Sequence, residues 1–237
     1  MSYIKTGFAT LLPLSLACVA LSANASTWNG EAELGAVVTT GNTETQTLNA
    51  KGKLVNDRKK WKHVGMVEAL STSDDVRTTS ERYLLSAKSD YKYDEVSYAF
   101  VRINYEKDRF SGYDYQVSET LGYGRKIITE PNLTLALEAG PGARQSKLDM
   151  GDSDDEFIVR LAGDLVWKIS ENAEFSEDLS TEVGEDVTIS KSVSALKAQI
   201  VGSLAMKLSY TVKHTSDVPV ETEKTDTETA LTLVYSF

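Results

Sequence analysis

The chain has 237 residues, a formal net charge of −10 and a single cysteine, Cys18. Such acidity disfavours nucleic acid as a partner, because phosphate backbones attract basic surfaces. With one cysteine, a disulfide framework within the chain and a thiolate metal site are both excluded.

The first 25 residues have the layout of a secretory signal peptide. Lys5 supplies a basic start, residues 7–21 are an apolar and small-residue run, and Ala23-Asn24-Ala25 is a small-x-small cleavage site. The run is too short for a membrane-spanning helix. We therefore expect residues 1–25 to be a signal peptide and residues 26–237 to be one domain. A lipoprotein with its N-terminus at Cys18 is the alternative, although Ser15 stands where leucine is usual in such motifs.

After the leader, hydrophobicity alternates with a period of two residues. In residues 204–213 the even positions are apolar or aromatic, while the odd positions are small, polar or cationic. This period predicts β-strands rather than helices. About twelve such segments are predicted, most of them longer than the ~9–11 residues a tilted strand needs to cross a membrane. They lie at 28–40, 44–56, 61–72, 80–92, 96–107, 115–128, 132–145, 156–169, 173–184, 187–199, 203–214 and 225–237.

The connections after even-numbered segments are tight, and several after odd-numbered segments are longer and polar. The longer ones are 71–79, 108–114, 146–155 and 215–224. Short turns on one side and long loops on the other are typical of outer-membrane barrels. The predicted fold is therefore all-β, a closed antiparallel up-and-down transmembrane β-barrel of about 12 strands. We expect it in the bacterial outer membrane with both termini periplasmic; a soluble periplasmic β-protein is the alternative.

Aromatic residues gather at the strand ends that this scheme assigns to the periplasm. Tryptophan and tyrosine prefer the membrane–water interface, so these residues predict an aromatic girdle. The members are Trp28, Trp61, Trp167, Tyr235 and Phe237, with Tyr91, Tyr93, Tyr98 and Phe175 beside them. Residues 231–237 alternate and end on an aromatic, which resembles the terminal strand that barrel-insertion machinery recognises. The expected partners are that machinery, outer-membrane lipid and lipopolysaccharide, and the expected state is a monomer.

Seven short motifs carry a resemblance to a known family. They are Thr40-Gly41-Asn42-Thr43, Glu81-Arg82-Tyr83, Asp108-Arg109-Phe110-Ser111-Gly112-Tyr113, Gly122-Tyr123-Gly124-Arg125, Gly140-Pro141-Gly142-Ala143-Arg144, Gly184-Glu185-Asp186 and Tyr235-Ser236-Phe237. The chain resembles the YdiY-like family, described as salt-induced outer-membrane proteins with a domain of unknown function. Thr40 departs from the usual Ser-Gly-Asn-Thr form. The resemblance covers the mature chain and implies location and fold, and almost nothing about activity.

The polar face of each strand is expected to point into the lumen. Odd or even position within each alternating strand (its parity) assigns a residue to one face. The charges assigned to the lumen in this way are Glu31, Glu33, Lys88, Asp90, Arg102, Glu138, Arg144, Arg160, Asp164, Lys168, Lys207, Lys213, Asp226 and Glu228. Barrels of roughly 8 strands are filled, and those of 16–18 strands hold an aqueous channel. Twelve strands lie between, so an ion-pair plug and a narrow pore both remain open. A symmetric last hairpin would place Lys213 opposite Asp226.

An acidic stretch is a weak metal candidate. Asp149, Asp152, Asp154 and Asp155, followed by Glu156, could hold a hard cation such as Ca²⁺, although their spacing does not match an EF-hand. A loop that is simply solvated, or that shares divalent ions with lipopolysaccharide phosphates, is the simpler interpretation.

The sequence does not favour an enzyme. Lipid-modifying chemistry usually needs a nucleophile beside a base, and the chain has two histidines, His63 and His214, predicted at opposite strand ends. It has no Gly-x-Ser-x-Gly elbow, zinc motif or phosphate loop, so no cofactor is expected. The Gly122–Gly124 and Gly140–Gly142 pairs are expected to face the lumen, with a bulge at Pro141.

Overall fold

Twelve β-strands form one closed antiparallel barrel in the computed structural model. The structure describes residues 28–39, 45–74, 78–109, 111–148, 151, 153–218 and 222–237, so the predicted leader and Cys18 lie outside the described residues. The strands are β1 (Trp28–Thr39), β2 (Thr45–Asp57), β3 (Trp61–Asp74), β4 (Thr78–Lys92), β5 (Ser97–Asp108), β6 (Tyr113–Thr129), β7 (Leu133–Leu148), β8 (Ser153–Lys168), β9 (Ala173–Gly184), β10 (Thr188–Val201), β11 (Leu204–Thr215) and β12 (Thr225–Ser236). The all-β, twelve-stranded prediction is confirmed. No helix among the described residues is long and apolar enough to cross a membrane.

The barrel is apolar outside and polar inside. Val67, Leu85, Val101 and other large hydrophobic side chains are exposed on the outer face, while Glu138 and Arg144 are almost fully buried. The alternating sequence produces this arrangement, because successive side chains of a strand point to opposite faces of the sheet. Such an inversion suits a barrel whose outer face contacts lipid.

The barrel has two rims that differ in their aromatic content. The turn rim carries the β2–β3, β4–β5, β6–β7, β8–β9 and β10–β11 connections together with the start of β1 and the end of β12; the loop rim carries the others. Trp28, Trp61 and Trp167 are exposed at the turn rim. Trp61 packs edge-to-face on Tyr91 at 5.1 Å between ring centroids, and Tyr91 packs on Tyr93 in the same way at 5.5 Å.

The predicted difference in loop length is largely wrong. The strands continue into 71–74 and 78–79, and also into 146–148 and 153–155, which were expected to be loops. Of the long loops expected at one rim, the 216–224 connection keeps its length. Polar residues therefore belong to strand ends here rather than to loops.

A side-chain cap fixes the turn between β4 and β5. The Asp94 carboxylate accepts hydrogen bonds from the backbone N–H groups of Val96 (2.8 Å) and Ser97 (2.7 Å). Hydrogen bonds to the charged form favour it, so these two donors hold the pKa of Asp94 below its usual range.

The seam between the first and last strands closes the barrel. Glu31–Leu34 pair with Leu233–Ser236 in the order Glu31↔Ser236 to Leu34↔Leu233. The Gly30 N–H donates to the Phe237 carbonyl (2.8 Å), and the Phe237 N–H donates to the Gly30 carbonyl (2.9 Å). The Phe237 ring occupies the space that a Gly30 side chain would need. Among the described residues, the paired part of the seam lies toward the turn rim.

Strands β6 and β7 approach each other closely at two facing glycines. A Cβ atom on Gly140 would lie 2.0 Å from the Leu121 carbonyl oxygen, and one on Gly122 would lie 2.3 Å from that of Ala139. The predicted bulge at Pro141 is wrong: Thr120↔Gly142 and Tyr123↔Ala139 keep the same register on either side of it.

Candidate functional site in the barrel interior

Glu138 is the central acceptor of a charged cluster on the inner wall. Its carboxylate accepts from the Lys88 ammonium, from the Tyr98 hydroxyl at 2.8 Å and from Arg160 Nη1 at 3.3 Å. Strands β4, β5, β7 and β8 supply these groups, and 1% of the Glu138 side chain is exposed. Because β4 and β7 are not neighbours, the Lys88–Glu138 pair spans part of the lumen.

A second cluster crosses the lumen nearer the loop rim. Arg82 Nη2 on β4 lies 2.7 Å from Glu68 Oε1 on β3 and 2.7 Å from Glu228 Oε2 on β12. Asn49 donates a further hydrogen bond to Glu228 (3.0 Å). Strands β4 and β12 are not adjacent, so Arg82 joins two separate parts of the wall.

The longest crossing joins β11 to β5. Lys213 Nζ lies 2.6 Å from Glu106 Oε1, and both side chains are less than one-fifth exposed. Six strand steps separate β5 from β11 around the barrel, so this pair bridges opposite walls. Together the Arg82 and Lys213 pairs narrow the passage; they are called the crossing pairs below.

Arg144 holds a third cluster close to the loop rim. Its Nε donates to Glu156 Oε1 at 2.9 Å, and its Nη1 lies 3.7 Å from Glu182 Oε2. Another donor of the same guanidinium bonds the Val187 carbonyl oxygen, which belongs to the β9–β10 connection. A single buried arginine therefore ties β7, β8 and β9 to that connection.

The interior is more open toward the turn rim. Lys197 bridges Glu31 (3.1 Å) and Glu174 (3.3 Å), with about a third of each side chain exposed. Lys207 Nζ lies 2.9 Å from Glu33 Oε1 on β1, the strand two steps away. A cavity of about 550 Å³ opens beside Lys197, lined also by Lys168, Glu174 and Ser236.

Most of the interior charges expected from parity take part in ion pairs: Glu31, Glu33, Lys88, Asp90, Glu138, Arg144, Arg160, Lys207, Lys213 and Glu228. Arg102 instead donates to Asn104 on its own strand (3.1 Å). Asp164 lies opposite Asp178, and Lys168 lies opposite Glu174 at the turn rim. Sequence reasoning did not assign Glu68, Arg82, Glu106, Glu156 or Glu182 to the lumen. Arg82 is an even number of residues from the inward Lys88 on β4, and this spacing would have placed Arg82 in the lumen.

Two expectations about partners and faces need correction. Lys213 is opposite Asp226 as expected, but its ion pair goes to Glu106, because the long side chain extends into the lumen while Asp226 is exposed at the loop rim. Tyr98 does not join the outer girdle. It shares the inner face of β5 with Phe100, is 8% exposed, and its ring fills the space beside Gly124.

The acidic stretch runs into β8, which directs its acidic side chains to opposite faces of the sheet. Asp149 and Asp152 lie outside the described residues, while Asp154 and Asp155 are consecutive residues of β8 and point to opposite faces. Glu156 is occupied by Arg144. Within the described part of the chain, no three His, Cys, Asp or Glu residues are placed to hold a metal ion.

The two histidines lie far apart at opposite rims. His63 stacks on Trp61 at 5.8 Å and bonds the Ser89 hydroxyl (2.9 Å) near the turn rim. His214 bonds the Thr225 hydroxyl (2.8 Å) near the loop rim. Their positions do not bring two histidines together at one site.

The closed sheet, the apolar exterior and the charged interior define a transmembrane β-barrel of the outer-membrane type. The chain belongs to the family described as "Protein of unknown function, DUF481", whose model matches residues 32–237. It is 29% identical over 212 residues to the uncharacterized protein YdiY of Escherichia coli (strain K12), an alignment covering 88% of this chain and 83% of the relative. The resemblance to the YdiY-like family is confirmed.

Solved structures of similar fold are outer-membrane barrels. The NanC porin matches with a TM-score of 0.54 at 9% identity, covering 88% of this chain and 98% of the porin. The translocator domain of the autotransporter NalP from Neisseria meningitidis matches with a TM-score of 0.52 at 11% identity, covering 92% and 90%. An outer membrane channel from Pseudomonas putida F1 matches with a TM-score of 0.50 at 8% identity, covering 89% and 94%. At these identities the likeness shows the fold.

Proposed function

We propose that this protein is a non-catalytic, narrow channel for small solutes in the bacterial outer membrane, held nearly closed at rest by the crossing pairs. The observation that carries the proposal is that side chains from opposite walls meet in the lumen, as Lys213 and Glu106 do at 2.6 Å. Ion pairs between flexible side chains narrow a passage without filling it with backbone, so they form a removable constriction.

Solvent exposure along the lumen supports a water-filled route on one side of the constriction. Lys197 and Glu31 are about 30% exposed, and the cavity of about 550 Å³ lies beside them. The crossing residues Arg82 and Glu228 are less exposed, at 12% and 21%. A vestibule therefore leads to a tight charged layer, which limits passage to small solutes.

The charged layer links the proposal to salt. Ions screen electrostatic attraction, and partly exposed pairs are screened more than buried ones. High ionic strength should therefore loosen Arg82–Glu228 more than the buried Glu138 cluster.

The variant Arg82→Ala tests the channel. Removing its guanidinium breaks the link between β4 and β12, so we expect unitary conductance in planar bilayers to rise about two- to fivefold, an order-of-magnitude expectation for loss of one crossing arm. Wild-type protein should give small stepwise currents. Its conductance should increase with salt concentration more steeply than the conductivity of the salt solution does.

Arg109→Ala is the matched control. Arg109 also pairs with a glutamate, at 2.5 Å from Glu81 Oε2, but its side chain is 59% exposed and lies at the loop rim. We expect its conductance to equal that of the wild type. If well-folded wild type and Arg82→Ala are both silent in bilayers, the channel is wrong and a purely structural barrel is the better description.

We further propose that the turn rim faces the periplasm, with both termini on that side. The longest connection between strands, residues 216–224, lies at the opposite rim, and outer-membrane barrels carry their longer loops on the extracellular side. An epitope inserted in the 216–224 connection should be labelled by antibody on intact cells, whereas one in the 130–132 turn should need a permeabilised outer membrane. The reverse labelling pattern would invert the orientation.

A further inference from the structure

Basic residues are concentrated on one side of the turn rim, at the β2–β3 turn, the β4–β5 turn and the end of β6. Residues 57–62, 92–97 and 125–126 hold seven cations and three acids, in a chain whose net charge is −10. The cations, called the basic arc below, are Arg58, Lys59, Lys60, Lys62, Lys92, Arg125 and Lys126. This concentration of positive charge is the opposite of what the overall acidity would suggest.

Hydrogen bonds join the basic arc into one surface. The Lys92 N–H donates to the Lys60 carbonyl oxygen (2.8 Å), and the Lys92 ammonium donates to the Arg58 carbonyl oxygen (3.0 Å). On the other side of the β4–β5 turn, the Lys126 ammonium donates to the Glu95 carbonyl oxygen (3.1 Å). The β4–β5 turn therefore connects the cations of the β2–β3 turn to those at the end of β6.

Most of the positive charge of the basic arc is not neutralised by neighbouring carboxylates. Among the described residues its single ion pair within 4 Å is Lys92 with Asp57. The Asp94 carboxylate is already bonded by two backbone N–H groups of its own turn. The remaining turns of the same rim carry Glu130 and residues 168–174, which include Lys168, Glu171 and Glu174. The rim therefore has a basic side and an acidic side.

The basic arc borders the lipid-facing aromatic residues. Lys60 Nζ lies 5.9 Å from the centroid of the Tyr91 ring, which packs on Trp61, a residue 45% exposed on the outer wall. Arg125 is the ladder partner of Leu137, which is 48% exposed, so Arg125 also points outward. Tryptophan and tyrosine mark the membrane–water interface, and lipid headgroups lie at that depth. Lys60 and Arg125 therefore lie level with the headgroups.

From this placement we infer that the basic arc binds the headgroups of anionic phospholipids. Phosphate oxygens are strong acceptors for the ammonium and guanidinium groups that the arc presents. Clusters of lysine and arginine beside a membrane attract anionic lipid over about a Debye length. Because Lys60 and Arg125 are on the lipid side of the wall, a headgroup reaches them more directly than a soluble acidic protein does. The lumen and its ion pairs take no part in this binding.

Two single-tryptophan proteins test the site in reconstituted membranes. Trp28→Phe with Trp167→Phe leaves Trp61 beside the basic arc, and Trp28→Phe with Trp61→Phe leaves Trp167 on the acidic side of the same rim. Both tryptophans are 45% exposed, so they are matched reporters. The bilayers are equal mixtures of phosphatidylglycerol and phosphatidylcholine, with bromine on the acyl chains of one lipid at a time, because bromine quenches tryptophan fluorescence on contact.

We expect phosphatidylglycerol to be enriched about threefold or more over phosphatidylcholine at Trp61, with no enrichment at Trp167. Equal enrichment at the two tryptophans overturns the proposal. Absence of quenching of Trp61 by either brominated lipid also overturns it, because something other than lipid then covers this side of the rim.

Charge variants of the Trp61 protein test whether the cations cause the enrichment. Replacing Arg58, Lys59 and Lys60 together by glutamine should reduce the enrichment to the level at Trp167. The matched control replaces three exposed cations of the loop rim by glutamine, namely Lys107, Arg109 and Lys147, and should leave it unchanged. Heat-modifiable gel migration establishes that both variants are folded. Enrichment that survives the first variant, or that persists in 1 M salt where the Debye length is about 3 Å, contradicts binding by the basic arc.

Discussion

Replacing Gly140 by alanine is expected to prevent assembly of a stable barrel. The new Cβ would lie 2.0 Å from the Leu121 carbonyl oxygen and 2.6 Å from the Gly122 Cα, which are backbone atoms. Relief requires β6 and β7 to separate, and overpacking costs about 1–3 kcal/mol even before backbone hydrogen bonds are lost. The expected result is little or no folded band on a heat-modifiable gel.

Gly65→Ala provides the control for that prediction. Gly65 also lies within a strand, but a Cβ added there meets no atom within 4 Å. We expect Gly65→Ala to assemble and to unfold in urea at the wild-type midpoint. A Gly140→Ala protein that matches Gly65→Ala in both measurements would show that β6 and β7 are not in close contact.

Glu138→Ala is expected to give the largest loss of stability among the charged residues. The change leaves Lys88 and Arg160 inside the barrel without their shared acceptor and removes the partner of the Tyr98 hydroxyl. Breaking a buried ion pair by deleting one partner costs about 3–5 kcal/mol. Urea unfolding followed by tryptophan fluorescence should show a corresponding decrease in the midpoint.

Glu81→Ala is the control for Glu138→Ala, because it also removes a glutamate from an ion pair but does so near the surface. Glu81 pairs with Arg109 at the loop rim, where the Arg109 side chain is 59% exposed, and ion pairs at the surface contribute about 0.2–1 kcal/mol. Its urea midpoint should stay near that of the wild type. Equal losses in the two variants would mean that the Glu138 cluster is hydrated rather than buried.

Strand positions could be predicted closely because period-two patterning reports which face of a strand meets lipid. The pattern predicted residues 173–184 as a strand, and β9 has those bounds. Polar loop boundaries were less predictable. Residues 146–148 and 153–155 are polar or mixed, yet they extend β7 and β8, since a strand that has left the lipid layer no longer needs alternation.

Pairing inside the lumen could not be predicted from one strand at a time. Parity indicates which charges face inward, but the Lys213–Glu106 pair depends on closure of the barrel, which brings β5 and β11 face to face. Tyr98 looked like a girdle residue because it is aromatic and near a strand end, whereas its parity with the inward Phe100 decides its direction.

The seam between β1 and β12 is where the folded barrel opens most easily. Its ladder pairs Glu31–Leu34 with Leu233–Ser236, whereas β1 and β2 pair from Trp28↔Asn56 to Thr39↔Thr45. Fewer backbone hydrogen bonds hold the first strand to the last than to the second, so the lowest-energy opening of the native state is a local parting of β1 from β12 at the loop rim. Amide exchange spreads outward from such an opening, and the sheet then has two free edges while the other strands stay paired.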